Sequence, residues 1–88
     1  MYHVAYMDKS YHLQKLGEAF RAARQRRGLT QQQVANLASL TRLTVIRIED
    51  GRDSVAIRNH ARLAAALGLE LSISPRTRPT LEELGEMQ

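Results

Sequence analysis

Cysteine is absent, so the chain forms no disulfide and offers no thiolate metal site, which fits a reducing cytoplasm. Tryptophan is absent and phenylalanine occurs once, so the core must be aliphatic. No apolar run approaches the roughly 20 residues that cross a bilayer. The stretch MYHVAYMDKSYH has neither a basic start nor an apolar core and does not read as a signal peptide. His3, His12 and His60 lack metal-ligand spacing, and His60 is expected on a helix surface. There is no glycine-rich phosphate loop and no nucleophile elbow. Glu82 and Glu83 are neighbours in a polar tail, without the rigid frame that general acid–base work needs. The expectation is a protein that is not an enzyme and holds no metal or cofactor.

What is present is a basic, arginine-rich chain of 88 residues, enough for one small domain. A domain of this size is marginally stable and gains from a partner. Lys9 and Lys15 are the only lysines among 13 basic residues, which face 9 acidic ones for a net charge of +4. Arginine suits phosphates and guanine edges because its planar fork donates two parallel hydrogen bonds. Position matters more than the total. Arg21, Arg24, Arg26, Arg27, Arg42, Arg47, Arg52, Arg58 and Arg62 occupy the middle of the chain, whereas Glu82, Glu83 and Glu86 lie near its end.

Hydrophobic periodicity places four helices. Residues 1–11 form a polar, aromatic leader with no period, containing Tyr2, Tyr6 and Tyr11. Leu13, Leu16, Phe20 and Ala23 recur at helical steps and predict a helix from Leu13 to Arg27, ended by Gly28. TQQQ has capping-box spacing, so Thr30 starts a helix over Gln31–Ala38 with Val34, Ala35 and Ala38 inward. After the short turn SLT, Thr41 caps a helix from Arg42 to Asp50, with Val45 and Ile48 inward and Ile46 on the exposed side. A fourth helix is expected over Ile57–Leu67, with Ile57, Ala61, Ala64 and Leu67 facing the core and Gly68 as its stop. The spacing from Thr80 to Glu83 allows a short final helix in the tail over residues 75–88.

The stretch LGLELSIS, residues 67–74, alternates like a strand: Leu69, Leu71 and Ile73 fall on one side, Glu70, Ser72 and Ser74 on the other. A lone strand cannot satisfy its own backbone, and an open apolar edge invites another chain. The simplest partner is its own copy, paired antiparallel across a two-fold axis.

Two short helices joined by a three-residue turn, the second capped and arginine-bearing, have the layout of a helix-turn-helix. The segment LTQQQVANLASLTRLTVIRIEDGR resembles the Xre/Cro family of phage-repressor-like DNA-binding domains, and the flanking helices extend the likeness over residues 13–68. The resemblance implies a mainly α, lambda-repressor-like domain of four to five helices spanning residues 12–68, with residues 69–74 as a C-terminal β-strand pairing across a dimer. Ser39 departs from it, because the family usually places glycine at that point of the turn.

A helix N-terminus in the major groove sends its first side chains to base edges, which here are Arg42, Leu43 and Thr44, with Arg47 one turn further. Arg42 and Arg47 suit bidentate contact with guanine; Leu43 and the Thr44 methyl suit a thymine methyl. Gln31, Gln32, Thr41 and Arg52 are expected to hold the DNA backbone, Gln31 by analogy with the family. Arg24 and Glu49 match a family pair that ties the third helix to the first.

The strand after the fourth helix further resembles HipB-like antitoxins, small Xre-family dimers that repress their own operon and bind a HipA-like kinase toxin. That resemblance implies a cytoplasmic, nucleoid-associated homodimer on a palindromic operator in double-stranded DNA, with no membrane contact. The acidic tail or the tyrosine-rich leader would serve as the toxin contact. Two other readings stand beside it: a regulator of the same type without a toxin, and a protein-interaction module that has lost DNA binding.

Overall fold

The computed structural model of the chain describes residues 9–75. Among these residues four helices follow one another: α1 (Lys9–Arg26), α2 (Gln31–Ala38), α3 (Arg42–Glu49) and α4 (Ile57–Ala66). They enclose one mainly aliphatic core, with the aromatic Phe20 in it, whose largest fully buried side chains are Phe20, Val34, Val45, Ile48 and Leu63, with Leu16, Leu29, Leu40 and Val55 packed at its rim.

α1 starts at Lys9, one turn before the expected Leu13. Its first turn is exposed and carries no apolar period, so periodicity could not reveal it. The Lys9 ammonium instead lies 2.9 Å from Asp53, joining this turn to the loop between α3 and α4. That ammonium holds the exposed Asp53 carboxyl below its ordinary value, chiefly through a hydrogen bond. The expected leader therefore ends inside a helix, and residues 1–8 lie outside the described part of the chain.

The helix ends follow local chemistry. Gln33 N donates to Thr30 Oγ1 at 3.0 Å while Thr30 N donates to Gln33 Oε1 at 2.8 Å, so both halves of the capping box form. α3 and α4 each end one residue earlier than expected, with Asp50 and Leu67 as their C-caps. Ser39 closes α2 in the left-handed conformation, at φ 58°. A side chain pays for that geometry where glycine would not.

α4 buries Ala64 and Leu67 as expected, but its first half turns differently. Ile57 is 71% exposed and Ala61 is exposed, while His60, Leu63, Ala64 and Leu67 turn inward. The expected phase gave the inward place to isoleucine rather than histidine. The inner place is open to His60 because its polarity is satisfied there: Nδ1 donates to the carbonyl of Ala56, the N-cap of α4, 3.1 Å away. Its ring then packs beside Phe20, with centroids 6.3 Å apart.

Residues 69–75 form no helix and no ladder within the single chain. Leu69 and Leu71 lie along α1, leaving a groove of about 280 Å³ lined by Leu16, Phe20, Ala23 and these two leucines. Ile73 is fully exposed. The start of this segment is pinned: Arg27 Nη1 donates to the Leu67 carbonyl at 2.8 Å. The tail helix expected at Thr80 and the proposed toxin contacts in the tail lie outside the described residues, as do Tyr2 and Tyr6 of the leader; Tyr11 belongs to α1. No helix among the described residues is long and apolar enough to cross a membrane.

Candidate nucleic-acid interface

The exposed surface of α3 is built outward from a buried one. Val45 and Ile48 lock the helix into the core, which leaves Arg42, Leu43 and Arg47 exposed and Thr44 half-buried. Thr44 N donates to Thr41 Oγ1 at 3.1 Å, and the two threonine hydroxyls lie 2.9 Å apart. Both hydroxyls are thus engaged at the helix start, and the N-terminal turn of α3 is rigid. Ile46, expected on the exposed side, is half-buried.

Arg42, Arg47 and Arg52 take part in none of the ion pairs found among the described residues. Their guanidinium groups are available to an external anion. Gln32 is exposed on α2 and its amide donates to Asn36 Oδ1 at 2.9 Å. Thr41 is exposed but committed to its cap.

Gln31 sits differently. Its Nε2 donates to Glu49 Oε1 at 3.1 Å, which links the first residue of α2 to the last residue of α3. Glu49 is the centre of a larger assembly. Arg24 grips it bidentately, Nε to Oε2 at 2.7 Å and Nη2 to Oε1 at 3.1 Å. Arg21 Nε adds a longer contact to Oε1 at 3.4 Å and reaches Asp50 Oδ1 at 3.3 Å through Nη2. Arg24 Nη1 also donates to the Leu29 carbonyl at 2.8 Å, tying down the chain between α1 and α2.

The Glu49 side chain is only 1% exposed, and burial alone would push its carboxyl upward. The hydrogen bonds from Arg24, Gln31 and Arg21, with the charge of Arg24, outweigh that and hold it below its ordinary value of 4.5. The Arg24–Glu49 pair is the one the family resemblance implies; Arg21 and Gln31 as its companions are not. The available signal was the three-residue step from Arg21 to Arg24, which puts both on one face of α1.

The geometry defines a helix-turn-helix: a clamped α2, a turn through Ser39, and a capped α3 that offers arginines outward. Comparison with known proteins agrees. Residues 15–72 match the model of a family described as a helix-turn-helix domain. The restriction-modification controller protein C.AhdI from Aeromonas hydrophila is similar at 36% identity, over 72% of this chain and 91% of that one, with a TM-score of 0.65. A chain of a HipA-HipB-O2-O3 complex is similar at 21% identity, over 80% of this chain and 99% of that one, with a TM-score of 0.68. A structure described as MDT Protein matches with the same figures, and at this identity the likeness is one of fold. No curated protein matches the chain. The chain belongs to the helix-turn-helix domain family and is a DNA-binding regulator of the Xre type.

Proposed function

We propose that the protein is a sequence-specific transcriptional repressor that binds a palindromic operator as a homodimer. The observation that carries this reading is the outer surface of α3, where Arg42, Leu43 and Arg47 are exposed on a helix whose inner face and cap are fixed. Arg42 and Arg47 read guanine, and Leu43 with the Thr44 methyl meets thymine. Gln31, Gln32, Thr41 and Arg52 contact the backbone: Gln31 through its second amide hydrogen, and Arg52 as a free cation.

Two half-sites require two copies. The exposed Leu69, Leu71 and Ile73 supply the apolar seam, and antiparallel pairing of residues 69–74 with their own copy would satisfy backbone left without a ladder in the single chain.

The finer reading is an antitoxin that autoregulates its operon and neutralises a HipA-like kinase toxin. The shared fold with a chain of the HipA-HipB-O2-O3 complex supports it. The likeness to a restriction-modification controller protein favours the second reading, a regulator without a toxin. Co-purification with the product of an adjacent kinase-like gene separates the two.

The first experiment is fluorescence anisotropy with the DNA just upstream of the gene, titrated with salt and with scrambled competitor. Binding that survives competitor and falls steeply with salt is the expected result. Arg42→Ala and Arg47→Ala should each cost about 1–3 kcal/mol on that DNA and relax its sequence preference. Equal, weak binding to both sequences would leave the electrostatic attraction alone and remove the repressor reading.

A further inference from the structure

We infer that Glu49 is a positioning residue for DNA binding, acting through Gln31, and that the protein's buried ion pair and its phosphate clamp are one device. The inference rests on the proposed contact between Gln31 and the DNA backbone.

A carboxylate has no hydrogen to give. Glu49 can therefore receive only the nitrogen end of the Gln31 carboxamide, and at 3.1 Å it does. This removes the two-fold ambiguity of the amide. With one N–H spent on Glu49, the half-buried amide keeps a second N–H as a donor for an outside acceptor. A phosphate oxygen accepts hydrogen bonds and never donates one, so this is the end of the carboxamide a DNA backbone needs. The reverse orientation would present an oxygen to an anion.

The arrangement also solves an electrostatic problem. A bare carboxylate beneath a phosphate would repel it. Arg24 and Arg21 meet Glu49, and Arg21 also meets Asp50, so two cations face two anions and the local charge cancels. Gln31 then meets the phosphate from a neutral base.

Position follows from the same contacts. Glu49 is the last residue of α3 and Gln31 the first of α2. Their bond fixes the backbone clamp relative to the helix that reads bases, so a phosphate held by Gln31 sets where Arg42 and Arg47 fall in the groove. Arg24 strengthens this by binding the Leu29 carbonyl, two residues before Gln31.

The test uses a random-sequence 30-base-pair duplex, because a phosphate contact does not depend on sequence. In NMR spectra of the full chain, the two Gln31 amide protons should resolve as separate signals. Adding the duplex should shift the outward proton while the proton donated to Glu49 stays in place. Gln31→Ala and Glu49→Gln should each weaken binding by about tenfold, and the double variant should bind no more weakly than the worse single one. These are measured at low temperature, with thermal unfolding confirming a folded fraction near one. Full affinity in Gln31→Ala would overturn the phosphate contact itself. If Gln31→Ala weakens binding but both amide protons move together on adding DNA, the amide has left Glu49 and the positioning role falls alone. Additive losses in the double variant would overturn it equally. The spectra of the natural chain keep the test decisive if Glu49→Gln does not fold.

Discussion

Gly17 of α1 lies directly against the end of α3: a Cβ at position 17 would stand 2.5 Å from the Glu49 carbonyl oxygen and 2.6 Å from that of Ile48. Both are backbone atoms, which cannot swing aside as a side chain does. The two helices therefore pack closely at this point, and Arg21 and Arg24, further along the same helix, reach Glu49.

Gly17→Ala should force α1 and α3 apart. The expected loss is about 1–3 kcal/mol, the usual cost of overpacking, despite alanine's better helix propensity. Urea unfolding measures it. A variant as stable as the parent would show that the crossing can relax.

Stability should fall in acid. The folded-state pKa of Glu49 lies below its ordinary value of 4.5, so its contribution is complete above that value and is lost as pH falls through the folded pKa. Removing the charge should cost about 3–5 kcal/mol at neutral pH, the range for breaking a buried pair. Glu49→Gln should therefore be less stable at pH 7 and less sensitive to acid below pH 4.5 than the parent. Parallel pH curves would assign the acid sensitivity elsewhere. The exposed Lys9–Asp53 pair provides a contrast, because salt screens it and should barely affect Glu49.

Ser39→Gly should stabilise the fold slightly. A left-handed non-glycine residue costs roughly 1–2 kcal/mol, partly offset by the greater freedom that glycine has in the unfolded chain. A net gain below about 1 kcal/mol is expected, read as a rise in melting temperature. A fall would mean that the serine hydroxyl contributes more than its backbone strain costs.

Leu71→Arg should break the proposed seam between copies. Sedimentation at micromolar concentration should find the parent dimeric and the variant monomeric, with far-UV circular dichroism unchanged. A dimeric variant would place the interface elsewhere.

Most of the helical frame was legible because its signals are local. α2 announced its start through Thr30 and Gln33 and its inner face through Val34, Ala35 and Ala38. α3 announced its start through Thr41. The first turn of α1 gave no signal, since Lys9 and Ser10 are exposed and its salt bridge to Asp53 spans the chain. On α4, Ala64 and Leu67 are inward as the period predicts, whereas His60 in place of Ile57 is not legible because ranking side chains by hydropathy overlooks the Ala56 carbonyl, which makes His60 fit for the core. At the interface, the outward face of α3 followed from Val45 and Ile48 pointing inward. The bond from Gln31 to Glu49 joins residues of different helices, and a one-dimensional pattern holds no trace of it.

Arg27 fastens the end of α4 to the end of α1 through the Leu67 carbonyl. Residues 69–75 thus start from a fixed origin. Two copies joined through this segment would carry their α3 helices at a separation written into the chain, in the manner of a calliper. The protein would then measure the distance between half-sites as well as their letters. Inserting one residue after Gly68 would change the operator spacing it selects while leaving its grip on a single half-site intact.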